Sequence, residues 1–532
     1  MDRGWLLERG AAALAAAAAL AIVVLGLVEG ALVAAGADSY GYVSQAHLWS
    51  TGKLRVEPPL YDNVSPTLPR HALAPLGYLF SGRHQALVPA YAPGLPMQMA
   101  LFERTAGRRA VFWVVPLAGG LAVWSTFLLG RSAAGPWGGV LAATWLASSP
   151  AFLFLITASP MSDLPAAAWW ALALALLVRD GRLAAAGTGL AAGIAILIRP
   201  NLVPVAMVPG AYLLWRAIVE WRARRVAPAR LLLFMAGVVP CCLAVAAINA
   251  YLYGSPLASG YDVKRLFAIE HALPNLARYP VLTWEMHTPL IGAALVAPFL
   301  LRSKAATAAV ASAARDIVGV ALAFVLAVFA CYLFYPGFDA HWRLRFLLPA
   351  IPALVVASST GILALASLAP RRWRALAAVA ATVAVSWHGV VYARDHAAFD
   401  TEGEYKYALI GEHIARRLPE RAVFLAMQHS GGIRYYSDRP IVRYDRIRRF
   451  RLDQVVGRLR QLGYQPYLVL EPWEEPVFRR RFAGASSFGS LDWPPAVELE
   501  FAGVRIYDLA DRSRAASGEE VSTEILPWPF PR

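Results

Sequence analysis

Residues 31–54 read ALVAAGADSYGYVSQAHLWSTGKL. The stretch begins lipid-soluble and stops being so at Ala37. Asp38 follows at once, then Ser39, Tyr40 and Tyr42. An ionised carboxylate at bilayer depth is expensive unless it serves a site or reaches water, so Asp38 marks both a membrane edge and a question. Two readings are open. Aspartate favours the N-cap of a helix, where it accepts backbone N–H bonds, and Asp38 could do no more than cap an interfacial helix. Alternatively it does chemistry, which requires partners on the same side of the membrane.

The run before Asp38 spans roughly 26 residues, longer than the apolar core of a signal peptide and long enough for an uncleaved first helix. It sits in a chain of 532 residues that is 58% hydrophobic and 16% charged, whereas a soluble chain is nearer half apolar and a quarter charged. Ten further apolar segments lie near 110–130, 136–156, 164–178, 183–198, 201–219, 231–250, 288–301, 316–335, 347–368 and 375–392. The expected fold is a polytopic α-helical membrane protein of about eleven transmembrane helices with a C-terminal soluble α/β domain.

The formal charge of +15 is not a nucleic-acid footprint. Residues 393–532 hold 21 basic and 20 acidic residues, so 29 basic and 15 acidic residues fall in the hydrophobic part. There the basic residues crowd short loops between apolar runs: LLGRSAAG, LLVRDGRL, WRAIVEWRARRVAPAR, LLRSKAATAAVASAARD and APRRWRAL. That pattern marks those loops as cytoplasmic. It places the N-terminus inside and the C-terminal domain outside, with no basic stripe interleaved with aromatics for nucleic acid. The three cysteines, Cys241, Cys242 and Cys331, all lie in apolar segments and form no zinc-ligand spacing.

On this topology the exterior segments are long or polar. The first, from about Asp38 to Arg109, contains YAPGLPMQMALFERTAGRR, suited to a helix lying along the interface. Others are YLYGSPLASGYDVKRLFAIEHALPNLARYPVLTWEMH and YPGFDAHWRLRF, with tight turns at TASPMSDLP and IRPN. The domain reading is 1–392 for the membrane part, 393–515 for the exterior α/β domain and 516–532 for a loosely held tail. In the α/β domain EYKYALIGEHIARRL reads as an amphipathic helix, AVFLAM, PIVRYD and PYLVLE as strands, and AVELEFAGVRIYDL as a final strand or hairpin.

Asp38, Asp163, Asp339, Arg199, Arg343 and Arg345 all fall at exterior helix ends. Each has a structural reading: a cap for Asp38 and Asp163, a snorkelling anchor for Arg199, an aromatic belt for Tyr40, Tyr42 and Trp49. Together they suit transfer of a sugar from a lipid phosphate to a hydroxyl. That reaction needs a carboxylate to take the acceptor proton and cations to stabilise the departing phosphate, which arginine does through its bidentate fork.

Several short motifs add to this. ADSYGYVSQAHLWSTGKL, YAPGLPMQMALFERTAG, SSPAFLFLITASPMSDLPAAAWW, GIAILIRPN and RLRFLLPAIP occur in this order. Over roughly residues 10–370 the chain resembles the GT-C superfamily of integral-membrane glycosyltransferases, in the branch of protein O-mannosyltransferases and the bacterial aminoarabinose–lipid A transferase. The resemblance implies that Asp38 is the general base of an inverting transfer and Asp163 a second catalytic-site acid. It places Arg199, Arg343 and Arg345 where donor phosphate or sugar binds, and Tyr40, Arg83, His84 and His341 are further candidates for donor phosphate or sugar binding. It also implies a polyprenyl-phosphate sugar donor, an extracytoplasmic acceptor and a bacterial inner-membrane location. Many relatives carry a second acid directly after the first. Ser39 stands there instead, which argues against metal binding in the first loop; no metal ligands are assigned, and a divalent metal as cofactor is left open. A polytopic lipid or glycan transporter or flippase is the alternative, for which two related halves with broken midplane helices would be expected.

Overall fold

The computed structural model describes residues 3–57, 60, 68–224, 228–261, 266–303, 312–337 and 340–528, without the side chains of 3–6, 223–224, 340–343 and 371. Helix α1 (Arg3–Val28) is the expected first span. Helix α2 (Asp38–Ser50) follows, then a two-stranded antiparallel hairpin, β1 (Tyr78–Ser81) and β2 (Ala86–Pro89), and helix α3 (Gly94–Ala106).

The apolar segments then run as α4 (Val114–Ala147), α5 (Pro150–Thr157), α6 (Asp163–Leu177), α7 (Arg182–Ile198), α8 (Met207–Arg224), α9 (Ala229–Tyr253), α10 (Ala272–His287), α11 (Ala293–Leu300), α12 (Ala314–Leu333), α13 (Ile351–Ala366) and α14 (Arg371–Asp395). Among the described residues seven helices are long and apolar enough to cross a membrane, with shorter apolar helices at Asp163–Leu177, Arg182–Ile198 and Pro289–Leu300. The chain is a helical integral membrane protein.

Breaks in the chain, and not hydropathy alone, set how the apolar runs divide. Within α4, Ala134 and Gly135 leave the helical region and Pro136 follows, so the chain turns back on itself. A methyl on Gly130 would sit 3.0 Å from Ala142 Cβ, twelve residues on, a distance a continuous helix cannot give. Pro150 starts α5 afresh, and Pro200 opens a 3₁₀ turn ahead of α8. Close helix packing is explicit between α7 and α9. There Gly189 and Gly193 face Phe234, Gly237 and Cys241, and a methyl at Gly189 would meet Phe234 O at 2.2 Å; small residues four apart allow such approach.

Beyond Asp395 the chain builds a six-stranded mixed sheet in the order β4-β3-β5-β7-β6-β8. Its elements are α15 (Glu402–Arg417), β3 (Ala422–Ala426), α16 (Ser430–Ser437), β4 (Ile441–Val442), α17 (Leu452–Gln461), β5 (Gln465–Leu470), α18 (Glu474–Phe482), β6 (Val497–Leu499), β7 (Val504–Asp508), α19 (Asp511–Ala516) and β8 (Glu524–Leu526). Strands β3, β4 and β5 are mutually parallel, and β6–β7 is the hairpin. Ile410 and Ile414 of α15 are fully buried against the sheet, as its apolar stripe requires.

One segment departs from its reading. The tail at 516–532 was expected to be loosely held. Instead β8 pairs parallel to β6, with Glu524 N–H donating to Ala496 O and Trp528 set edge-on to Phe501. A short strand needs only a free sheet edge, which sequence patterning does not display.

Candidate active site

Asp38 and Asp163 each open a helix, α2 and α6, yet neither caps it. The cap positions are Ala37 and Ser162, and no side-chain cap bond forms at either. Both carboxylates turn instead toward arginines. Asp38 Oδ2 accepts from Arg345 Nη2 at 2.9 Å and Oδ1 from the Tyr91 hydroxyl at 2.8 Å. Asp163 Oδ1 accepts from Arg199 Nη1 at 2.7 Å, with Arg345 Nε at 3.8 Å. Arg199 also donates to the Tyr332 hydroxyl at 3.0 Å. Two acids and two arginines, 307 residues apart at the extremes, thus meet in one alternating cluster.

Exposure separates the two acids. The Asp163 side chain is 2% exposed and the Asp38 side chain 31%. Asp163 sits between two guanidinium groups with no surface left for a reactant, whereas Asp38 keeps an open side. Aromatic rings back the arginines: Arg345 lies 4.9 Å from the Phe346 ring centre and Arg199 5.3 Å from the same ring. Burial and the neighbouring Asp38 charge push the Tyr91 hydroxyl well above its ordinary pKa, so Tyr91 stays a donor.

A cavity of about 540 Å³ opens beside this cluster. Arg199, Tyr42, Tyr91, Tyr261, Tyr332 and Phe346 line it, and much of the remaining wall is apolar, with Ile196, Ile198, Val245 and Leu257 among its members. Asp38 and Arg345 do not line the cavity themselves; Asp38 reaches it through the hydroxyl of Tyr91. Tyr42, whose hydroxyl bonds Ser162 Oγ at 2.9 Å, bridges the starts of α2 and α6.

The structure brings Asp38, Asp163, Arg199 and Arg345 together and places three other expected residues elsewhere. Tyr40 is buried beside Tyr78, 5.9 Å between ring centres, and abuts Gly431. It leaves α2 about 200° around from Asp38, on the far face, while Tyr42 at four residues shares the Asp38 face. Arg83 and His84 sit on the β1–β2 turn, bonded to Ala250 O and Tyr251 O at the end of α9. They engage carbonyls and not the cavity. The side chains of His341 and Arg343, and Asp339 altogether, lie outside the described residues. Among the described residues no three His, Cys, Asp or Glu side chains group as metal ligands would. Tyr91, Tyr332, Tyr261 and Phe346 were not singled out from sequence, because aromatic residues at span ends match any membrane-interface belt.

The overall fold, taken by itself, aligns with solved structures. The structure aligns with ArnT from Cupriavidus metallidurans bound to undecaprenyl phosphate at a TM-score of 0.54, with 14% identity, covering 91% of this chain and 96% of that one. The fold is GT-C. A second neighbour, the Archaeoglobus fulgidus oligosaccharyltransferase tethered to an acceptor peptide, aligns at 0.53 with 11% identity, covering 96% of this chain and 75% of its own. No family profile and no curated protein sequence matches the chain. At these identities the likeness is one of fold.

Proposed function

We propose that this protein is a membrane glycosyltransferase that moves a sugar from a polyprenyl-phosphate donor to a hydroxyl of an extracytoplasmic acceptor. The observation that carries the reading is the asymmetry of the two acids: Asp163 is locked between arginines, while Asp38 keeps an open side next to a largely apolar, tyrosine-walled cavity. The acceptor oxygen attacks the anomeric carbon as the bond from that carbon to the phosphate oxygen breaks. The acceptor proton passes to Asp38, and the electron pair leaves with the lipid phosphate. Attack opposite the leaving group inverts the anomeric centre. Arg199, which faces the cavity, and Arg345 stabilise the charge that builds on the phosphate. Asp163 holds both arginines in place. The apolar wall takes the lipid tail, and the tyrosine rings offer faces for the sugar.

The fold supports this reading, since one neighbour binds undecaprenyl phosphate and the other is an oligosaccharyltransferase. The membrane part, 1–392, and the α/β domain, 393–515, then belong to one enzyme of the bacterial inner membrane, with the cluster and the domain on the extracytoplasmic side. The test uses the full chain in nanodiscs with a panel of polyprenyl-phosphate sugars and a mixed acceptor extract, following release of polyprenyl phosphate by mass spectrometry. Release supported by one sugar is the expected result. Absence of release from every donor, with lipid-linked sugar moving across the bilayer, would replace the transferase by a flippase.

A further inference from the structure

The α/β domain does not stand apart from the Asp38 segment; it grips it. The link between α1 and α2, residues 29–37, holds its first part to the membrane domain, where Ala31 N–H donates to Thr157 O at 2.8 Å. Its second part is held by the α/β domain. Ala34 N–H donates to the Tyr436 hydroxyl of α16 at 2.8 Å, a bond across 402 residues of sequence. Ala31, Val33 and Ala35 are buried in one apolar cluster with Tyr407 and Ala408 of α15. The chain then turns at Gly36, where φ is +52°, and Ser39 Oγ bonds back to Val33 O at 2.9 Å. Asp38 lies within that turn.

The next turn of α2 is held in the same way. Tyr40 abuts Gly431 so closely that a methyl there would lie 2.3 Å from Tyr40 Cδ1. Ser430 Oγ accepts from Leu76 N–H at 3.1 Å, and Arg443 N–H donates to Ala72 O at 2.6 Å. These contacts come from residues just beyond the C-terminal ends of β3 and β4, so one end of the sheet rests on the first loop. The residues on either side of Asp38 therefore have α/β-domain partners, while its carboxylate has membrane-domain partners, Arg345 and Tyr91.

We infer that the α/β domain is a positioning device for the catalytic carboxylate, with Tyr436 and Gly431 as positioning residues that set where Asp38 meets the acceptor. The inference rests on the transferase reading for its catalytic consequence, and on geometry alone for the clamp. A carboxylate displaced by about 1 Å loses much of its rate while substrate binding survives. Tyr436→Phe removes the oxygen that receives Ala34 N–H and preserves the ring. Gly431→Ala pushes Tyr40, and with it α2.

The experiment compares wild type, Tyr436→Phe, Gly431→Ala and a matched change elsewhere in the domain, Tyr464→Phe, all as full-length protein in nanodiscs. Hydrogen exchange of peptides covering 29–42 is measured together with kcat and donor KM. The clamp predicts faster exchange in 29–42 for Tyr436→Phe and Gly431→Ala, kcat lower by about tenfold to a hundredfold, donor KM unchanged, and no effect of Tyr464→Phe. Unchanged exchange in both variants would overturn the clamp. Faster exchange with kcat intact would overturn the positioning role. If wild type turns over no donor, the transferase reading falls, and exchange still decides the clamp.

Discussion

At the scale of single residues, the roles of the two acids separate in experiment. Asp163 is buried between Arg199 and Arg345, and removing one partner of a buried ion pair leaves an uncompensated charge. Asp163→Ala is expected to destabilise the protein by on the order of 3–5 kcal/mol, read as a lower unfolding temperature in detergent. An unchanged unfolding temperature would remove its structural role. Gly41 gives a second test, because a methyl there would lie 2.1 Å from Tyr91 Cε2. Gly41→Ala should displace Tyr91 from Asp38, destabilise by roughly 1–3 kcal/mol and lower transfer. The four ionisable members of the cluster were legible in sequence, since charges among apolar residues stand out and are rarely idle. Its aromatic members were not, because Tyr332 and Phe346 look like any interfacial ring. Tyr40 is a site candidate because an aromatic ring can stack on a sugar, and helical phase puts it on the face opposite Asp38.

At the scale of elements, the apolar blocks 110–130 and 136–156, with the basic loop LLGRSAAG between them, mark the reversal that α4 makes. The fold-back inside α4 depends on two residues, Ala134 and Gly135, and on small side chains at Gly130 and Gly139 that let the arms touch. The strands of the α/β domain were legible as short continuous apolar runs such as AVFLA and PYLVL, whereas α16, with its two glycines, and the β8 edge strand lacked a strong pattern. The ends of the parallel strands hold a buried polar group with a testable consequence. Burial would raise the pKa of Glu471, but His429, 3.2 Å away, and the Lys406 ammonium, bonded at 2.7 Å, hold it at about 2. A depressed carboxyl pKa contributes stability that is complete above its unfolded value near 4.5 and is lost as pH falls toward 2. Wild type should therefore lose unfolding temperature across that window more steeply than Glu471→Gln, which should already be less stable at pH 7. Parallel curves for the two proteins would show that Glu471 gains nothing from its partners.

At the scale of the whole molecule, the chain gathers its reactive groups from four distant places: the start of α2, the start of α6, the end of α7 and the 3₁₀ stretch Ala340–Ala350 before α13. An ionic cluster beside a largely apolar cavity, with an α/β domain resting on the first loop, suits the fixed-site chemistry proposed above better than alternating access. The membrane character and the two-part layout followed from composition and hydropathy blocks. The docking of the α/β domain on the Asp38 segment did not, because it rests on backbone N–H groups and glycines that carry no pattern in one dimension. The central claim is that Asp38 takes the acceptor proton. The most direct measurement is single-turnover transfer from the donor identified in the panel, for wild type and Asp38→Asn, with donor binding measured on the same samples. Loss of about two to four orders of magnitude in rate, with donor binding retained, is the predicted result. Transfer by Asp38→Asn at the wild-type rate would contradict it.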